Sequence, residues 1–362
     1  MQEKPGNNTT KLKTDTPVAG QTEFPDPSKS FLHGPFADRL DDRFMIAGEM
    51  VEGKGEDSFY SAFSGRSAVA AVFDGCGGLG SRRYPGYARH TGAYMASRAA
   101  CSAMKSWFEK TEGGTGTGIR ALAEDLKAEL RNALEICLRH QGETSRILGS
   151  MVRDFPTTAA IALVREKEDG PGDVLQVCCY WAGDSRVYLL DGRGLAQLTT
   201  DDLRGAETTD ALDNLHQDAP LSNCICAGQE FTLHARQIDV KGPFAVFSAS
   251  DGCFGYLPSP FHFEDLLLSC LQQADSPEDF EQRVESEIRE YAGDDYTMGF
   301  LNFGYGDFFR FREALADRAR QIQEQYIAPL RDLSEEEAGE QIRQLWEEYR
   351  NGYERLLKEK SD

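Results

Sequence analysis

The order of the apolar segments constrains this chain most. Two short β-like runs come first, Asp57-Ser-Phe-Tyr-Ser-Ala-Phe63 and Ser67-Ala-Val-Ala-Ala-Val-Phe73. Two helical stretches follow. Ala88 to Phe108 is rich in Ala, and Ile119, Leu122, Leu126, Leu130, Leu134 and Leu138 then recur at steps of three and four, one apolar helix stripe. The Gly-rich link Thr111 to Gly118 makes these helices antiparallel neighbours. Thr157–Val164, Val174–Trp181, Arg186–Leu190 and Phe244–Ser250 read as further strands. A second helix pair, Phe263–Gln273 and Pro277–Tyr291, precedes a last strand. This is not the βαβα alternation of a parallel sheet; it predicts an α+β chain of antiparallel sheets covered by helices.

The ends differ in texture. Residues 1–40, rich in Lys, Thr, Asp, Pro and Gly, read as a mobile tail that docks at most near Phe31 to Phe36. After the domain at 41–303, residues 304–362 read as an appended helical hairpin. Phe311, Leu315, Arg318, Ile322 and Tyr326 mark its first helix, ended by Pro329. Ser334 to Glu337 is a capping-box signature for the second, with stripe residues Ile342, Leu345, Tyr349, Tyr353 and Leu356.

Charge narrows the partners. With 39 Lys+Arg against 60 Asp+Glu the net charge is −21, which argues against nucleic acid or an anionic membrane and suits cations. No apolar run approaches the ~20 residues of a membrane span, and the first residues lack a signal peptide's apolar stretch. Nine cysteines, two of them adjacent at Cys178 and Cys179, do not suggest a disulfide framework. A reducing cytoplasm is the expected setting.

Four acidic clusters abut the β-like runs, each beside a Gly: Gly55-Glu56-Asp57, Phe73-Asp74-Gly75, Ser250-Asp251-Gly252 and Gly293-Asp294-Asp295. Several strand ends on one side of a sheet can aim carboxylates into one small volume, where like charges need a cation. Oxygen ligands without a His or Cys cluster select Mg²⁺ or Mn²⁺ rather than zinc. Asp-Gly at a strand end also serves simply as a turn, and spacing alone does not show that the four converge.

Val72-Phe-Asp-Gly-Cys-Gly-Gly78 resembles the Asp-Gly-His-Gly-Gly signature of the metal-dependent serine/threonine protein phosphatases (the PPM, or type 2C, family). Gly55 to Phe59, Pro156-Thr-Thr-Ala-Ala160, Trp181-Ala-Gly-Asp-Ser-Arg-Val-Tyr188 and Leu195 to Asp202 look like further motifs of that family. So do Ser250-Asp-Gly252 and Asp294-Asp-Tyr-Thr297. Seven motifs in register over residues 41–303 imply a four-layer αββα sandwich, two antiparallel sheets flanked by helix pairs. The resemblance also implies a function: hydrolysis of phosphoserine or phosphothreonine in a protein substrate by metal-activated water, opposed by a cognate Ser/Thr kinase. In that picture Asp74 bridges two Mn²⁺ or Mg²⁺ ions and the Gly75 carbonyl binds one of them. Asp251 and Asp294 complete the other ion's shell. Glu56 and Asp57 act on waters at the metals, Asp57 orienting the attacking one, and Asp184 serves a third, weaker ion.

The sequence departs from the family at three places. Cys76 replaces the His thought to protonate the leaving alcohol; a thiol can donate a proton but fits less well. Glu52 stands where many members carry a phosphate-gripping Arg, leaving Lys54 as the nearest cation, with Arg82 and Arg83 as others. Asp295 stands where Asn is commoner. The alternative to an enzyme is a pseudophosphatase that acts as a binding or regulatory module. His90 reads as a surface or packing residue, His216 lies in a variable flap, and Cys224-Ile-Cys226 reads as reduced core cysteines.

Overall fold

Ser67-Ala-Val-Ala-Ala-Val-Phe73 is buried along its whole length, as an unbroken apolar run must be when both faces of its strand are covered. This strand, β3 (Ser67–Phe73), belongs to a five-stranded antiparallel sheet ordered β2-β3-β4-β5-β8. Its partners are β2 (Ser58–Phe63), β4 (Ala159–Glu166), β5 (Val174–Ala182) and β8 (His234–Lys241). A second antiparallel sheet is ordered β1-β10-β9-β6-β7. It comprises β1 (Leu40–Gly48), β6 (Arg186–Asp191), β7 (Gly194–Gln197), β9 (Phe244–Ala249) and β10 (Tyr296–Phe303). The computed structural model describes residues 36–114, 116–140, 153–167, 174–205, 210–216 and 219–357.

Helices cover the outer faces. After the short turn α1 (Gly77–Gly80), α2 (Gly92–Thr111) and α3 (Ile119–His140) pack on Val69, Ala71 and Phe73 of β3. On its other face Ala68 and Ala70 pack toward the second sheet with Ala160, Ala162, Val187, Val246 and Leu301. Small residues let the sheets approach. Ser248 Oγ donates to the Ala70 carbonyl across the gap at 2.9 Å, and a Cβ on Gly299 would sit 3.1 Å from the Ala70 Cβ of the other sheet. Beyond α4 (Ala211–His216), α5 (Pro260–Gln273) and α6 (Pro277–Tyr291) cover the second sheet.

The sequence places the start of α2 at Ala88, but the helix begins at Gly92. Ala88 and Arg89 have φ of 51° and 66°, left-handed conformations that no helix continues through, and Thr91 Oγ1 caps the first turn from Tyr94 N at 3.1 Å. His90 therefore precedes the helix, its ring stacked 3.9 Å from that of Tyr94. The expected tail falls outside the described residues up to 35. Phe36 is buried, 5.9 Å from the Phe303 ring.

The C-terminal helices, α7 (Phe308–Ile322) and α8 (Glu335–Tyr353), join the core of α5 and α6 through Phe311, Leu315, Trp346 and Tyr349. Arg318 lies in the apolar stripe because its guanidinium grips buried Glu264 of α5, Nε at 2.7 Å and Nη2 at 3.0 Å. Tyr349 OH donates to the same carboxylate at 2.6 Å. Ser334 and Glu337 form the capping box of α8.

Candidate active site

Strand register brings the acidic clusters to one end of the molecule. Ser58, opening β2, faces Phe73, closing β3, so Asp57 and Asp74 emerge together. In the other sheet Ala249, the end of β9, faces Arg186 at the start of β6 and Met298 near the start of β10. Asp184, Asp251 and Asp294 therefore share an edge. A hydrogen bond joins the two sheets there: Ser250 Oγ donates to Asp57 Oδ2 at 2.8 Å.

Backbone anchors hold each carboxylate. The Asp74 carbonyl accepts from Thr158 N at 2.7 Å and Thr157 Oγ1 at 2.8 Å, and Thr158 Oγ1 pairs with Ser185 Oγ at 2.7 Å. Asp202 Oδ2 holds Gly183 N at 3.0 Å, just before Asp184. Asp295 fixes the loop after β1, accepting from Met50 N at 2.8 Å and Glu56 N at 2.7 Å. Gly75 is required, because a Cβ there would lie 2.6 Å from the Ala93 carbonyl oxygen.

The electrostatics record the convergence. Burial raises the Asp74 carboxyl well above its ordinary range, and Asp57, Asp251, Asp184 and Asp294 each push it further. Burial pushes Asp57 up to about 7, with Asp251 and Asp295 adding to it. Asp184 is raised by burial, then Asp251 and Asp201; Asp251 by burial, then Asp294, while a hydrogen bond shared with Asp74 works against it. Exposed Asp294 is raised by partial burial, against the Asp295 N–H that donates to its carboxylate at 2.8 Å. Glu56, bonded to Thr91 Oγ1, is raised by burial and by Asp295 and Asp294.

Asp57, Asp74, Asp184, Asp251 and Asp294 thus form one interacting set, with Glu56 on its rim and the Gly75 backbone beneath it. Among the described residues no three His, Cys, Asp or Glu side chains gather at metal-binding geometry. The donor chemistry nonetheless fits a hard divalent cation. The set is all carboxylate, with the Gly75 carbonyl beside it, and each member destabilises the charge of its neighbours.

Cys76 is half-buried at the edge of the set. Lys54 is exposed on a turn, its N–H bonded to the Val51 carbonyl at 2.9 Å. The cation acting on Glu56 is Arg83, whereas Arg82 stands 3.7 Å from Asp154. Supporting residues escaped the sequence reading: Ser250, Thr158 and Ser185, and the buried pair in which Arg186 reaches Asp201 at 2.6 and 2.9 Å. All lie within the quoted motifs, so that position was the available signal.

Fold and site together define a class: an αββα sandwich with a carboxylate cluster where its sheets meet. Among solved structures, the PPM Ser-Thr phosphatase MsPP from Mycobacterium smegmatis superposes with a TM-score of 0.51 at 15% identity, covering 74% of this chain and 100% of its own. PstP/Ppp, a serine/threonine phosphatase of Mycobacterium tuberculosis, gives 0.50 at 17% identity over 73% and 98%. The serine/threonine phosphatase Stp1 from Staphylococcus aureus gives 0.52 at 14% identity over 73% and 96%. No curated protein matches the chain. The family profile described as Protein phosphatase 2C matches residues 53–289, well over half of it. The chain belongs to the protein phosphatase 2C family.

Proposed function

We propose that this chain is a Mn²⁺- or Mg²⁺-dependent phosphatase acting on phosphoserine and phosphothreonine in proteins. The observation that carries this reading is the strand register that puts Asp57, Asp74, Asp184, Asp251 and Asp294 at one end of the two sheets, with the Ser250 hydroxyl bonded to Asp57 across them at 2.8 Å. Family membership supports it. Asp74, the Gly75 carbonyl, Asp251 and Asp294 would hold two ions, with Glu56 and Asp57 beside them and Asp184 toward a third. When bound, such cations supply the positive charge that activates water near neutral pH and offsets the phosphoryl oxygens.

The chain's own residues divide the remaining work. Asp57, fixed by the Ser250 hydroxyl, orients the attacking water and accepts its hydrogen bond. The Cys76 thiol, half-buried beside the carboxylates, would donate the proton that the leaving alcohol needs. Arg83, and Lys54 from its exposed turn, draw in the phosphate; neither holds the Glu52 position, so phosphate affinity is modest. Residues 41–303 are the phosphatase domain in this reading, and the described helices beyond it, α7 and α8, seal the outer side of α5.

No helix among the described residues is long and apolar enough to cross a membrane. We place the protein in the cytoplasm, opposed by a Ser/Thr kinase. Cys76 and Glu52 are what favour the second reading, a pseudophosphatase. Calorimetric titration with Mn²⁺ tests the site without relying on turnover: saturable binding is expected in the wild type and not in Asp74→Asn. Equal binding by both proteins overturns the assignment.

A further inference from the structure

Of the six large hydrophobic side chains that stand exposed among the described residues, three gather around one acidic turn: Met50 and Val51, each 52% exposed, and Tyr256, 49% exposed. Strand register brings the first two there. Gly48, closing β1, faces Tyr296, opening β10, so the loop after β1 leaves its sheet beside Asp294 and Asp295. The Asp295 carboxylate then holds that loop at two points, accepting from Met50 N at 2.8 Å and Glu56 N at 2.7 Å. Within the loop, Lys54 N donates to the Val51 carbonyl at 2.9 Å and Gly53 N donates to Glu49 Oε2 at 2.5 Å. Met50 and Val51 are therefore presented on a preformed turn.

Tyr256 reaches the same place from the other side. The Asp251 carbonyl accepts from Phe254 N at 3.0 Å and Gly255 N at 2.6 Å, a tight turn that delivers the chain to Tyr256. The Tyr256 ring lies against Gly293, where a Cβ would run into it, and a Cβ on Gly252 would likewise run into the Asp295 carbonyl. Tyr256 thus flanks Asp294 through Gly293, and Met50 flanks it through Asp295. Large apolar side chains left in water on both sides of one site residue form a patch, unlike hydrophobics scattered singly over a surface.

The molecule that fills the site is the one placed to cover this patch. A phosphorylated residue at the carboxylate cluster carries its chain neighbours across Asp294, and about three residues of extended chain span ~10 Å. A leucine-sized neighbour lodged against Met50, Val51 and Tyr256 removes apolar surface from water on both partners, and the preformed turns keep the ordering cost low. An anionic bilayer is the poorer occupant for a chain of net charge −21. We propose that Met50, Val51 and Tyr256 form an apolar rim that selects phosphoprotein segments with a large aliphatic or aromatic residue within about three positions of the phosphorylated one. The proposal rests on the phosphatase reading for what enters the site, whereas binding of the apolar neighbour needs no turnover.

The test uses the full chain with Mn²⁺ and two phosphothreonine peptides that differ only in Leu or Ala on either side of the phosphothreonine. Two ratios are read: kcat/KM for the pair, and affinity for their non-hydrolysable phosphonate analogues by fluorescence anisotropy. The leucine peptide is expected to be favoured about tenfold in both. Tyr256→Ala, and Met50→Ser combined with Val51→Ser, should bring both ratios close to one, and Tyr256→Phe should keep them. A merely structural role would weaken both peptides alike and leave the ratios unchanged, which overturns the proposal. Equal handling of the two peptides by the wild type overturns it too. So does a wild-type dimer that Tyr256→Ala converts to monomer, because the rim would then be a contact between copies. A wild type that releases no phosphate from either peptide counts against the phosphatase reading, and the anisotropy ratio still decides the rim.

Discussion

Arg186 and Asp201 form a bidentate ion pair at 2.6 and 2.9 Å, and each side chain is only 2% exposed. The pair begins two residues after Asp184 and extends to α8, since Arg186 Nη1 also donates to Tyr353 OH at 3.4 Å. Removing one partner strands a buried charge. Asp201→Asn is expected to cost about 3–5 kcal/mol in urea unfolding. A variant within about 1 kcal/mol of wild type would show that Arg186 is compensated elsewhere.

The C-terminal helices α7 and α8 are part of the core, and their removal should show it. Tyr349→Phe deletes the 2.6 Å bond to the Glu264 carboxylate and should destabilise by about 1.5–3 kcal/mol. Deleting residues 304–362 uncovers the face of α5 that Leu315, Trp346 and Tyr349 cover, so the shortened chain should aggregate. A soluble truncation with a cooperative thermal transition would contradict this.

The pH dependence follows from the sign of the carboxylate shifts. Asp57 rises from 3.8 to about 7, so between those values the folded chain holds more protons than the unfolded one. Without divalent cation, this group's stability contribution is therefore full below the lower value and lost as pH rises through the upper. Mn²⁺ should reverse the trend and release protons on binding. Thermal unfolding in EDTA across this window, repeated with Mn²⁺, checks both signs; EDTA-treated protein that gains stability toward neutral pH contradicts the account.

Cys76→His restores a better proton donor beside the site. It is expected to raise kcat toward phosphoserine peptides, whose alkoxide needs a proton, more than toward aryl phosphates, whose phenolates leave unaided. Equal gains on both substrates would remove Cys76 from the leaving-group step.

Much of this was legible in the chain. The motif set identified the sandwich and the acidic strand ends, and apolar periodicity located α3, α6, α7 and α8 because each buries one stripe. Three strands were not. β1 opens with Leu-Asp-Asp-Arg, β7 spans four residues, and β8 reads His-Ala-Arg-Gln-Ile-Asp-Val-Lys. All are edge strands, where polar residues and short length protect the open side and erase the alternation that marks a strand.

The central claim is tested most directly by hydrolysis of a phosphothreonine peptide by the full chain, with millimolar Mn²⁺ and with EDTA, beside an Asp251→Ala control. The account predicts turnover that requires Mn²⁺, stops in EDTA and is lost in the control. Folded wild-type protein that releases no phosphate with Mn²⁺, or a control as active as wild type, would contradict it.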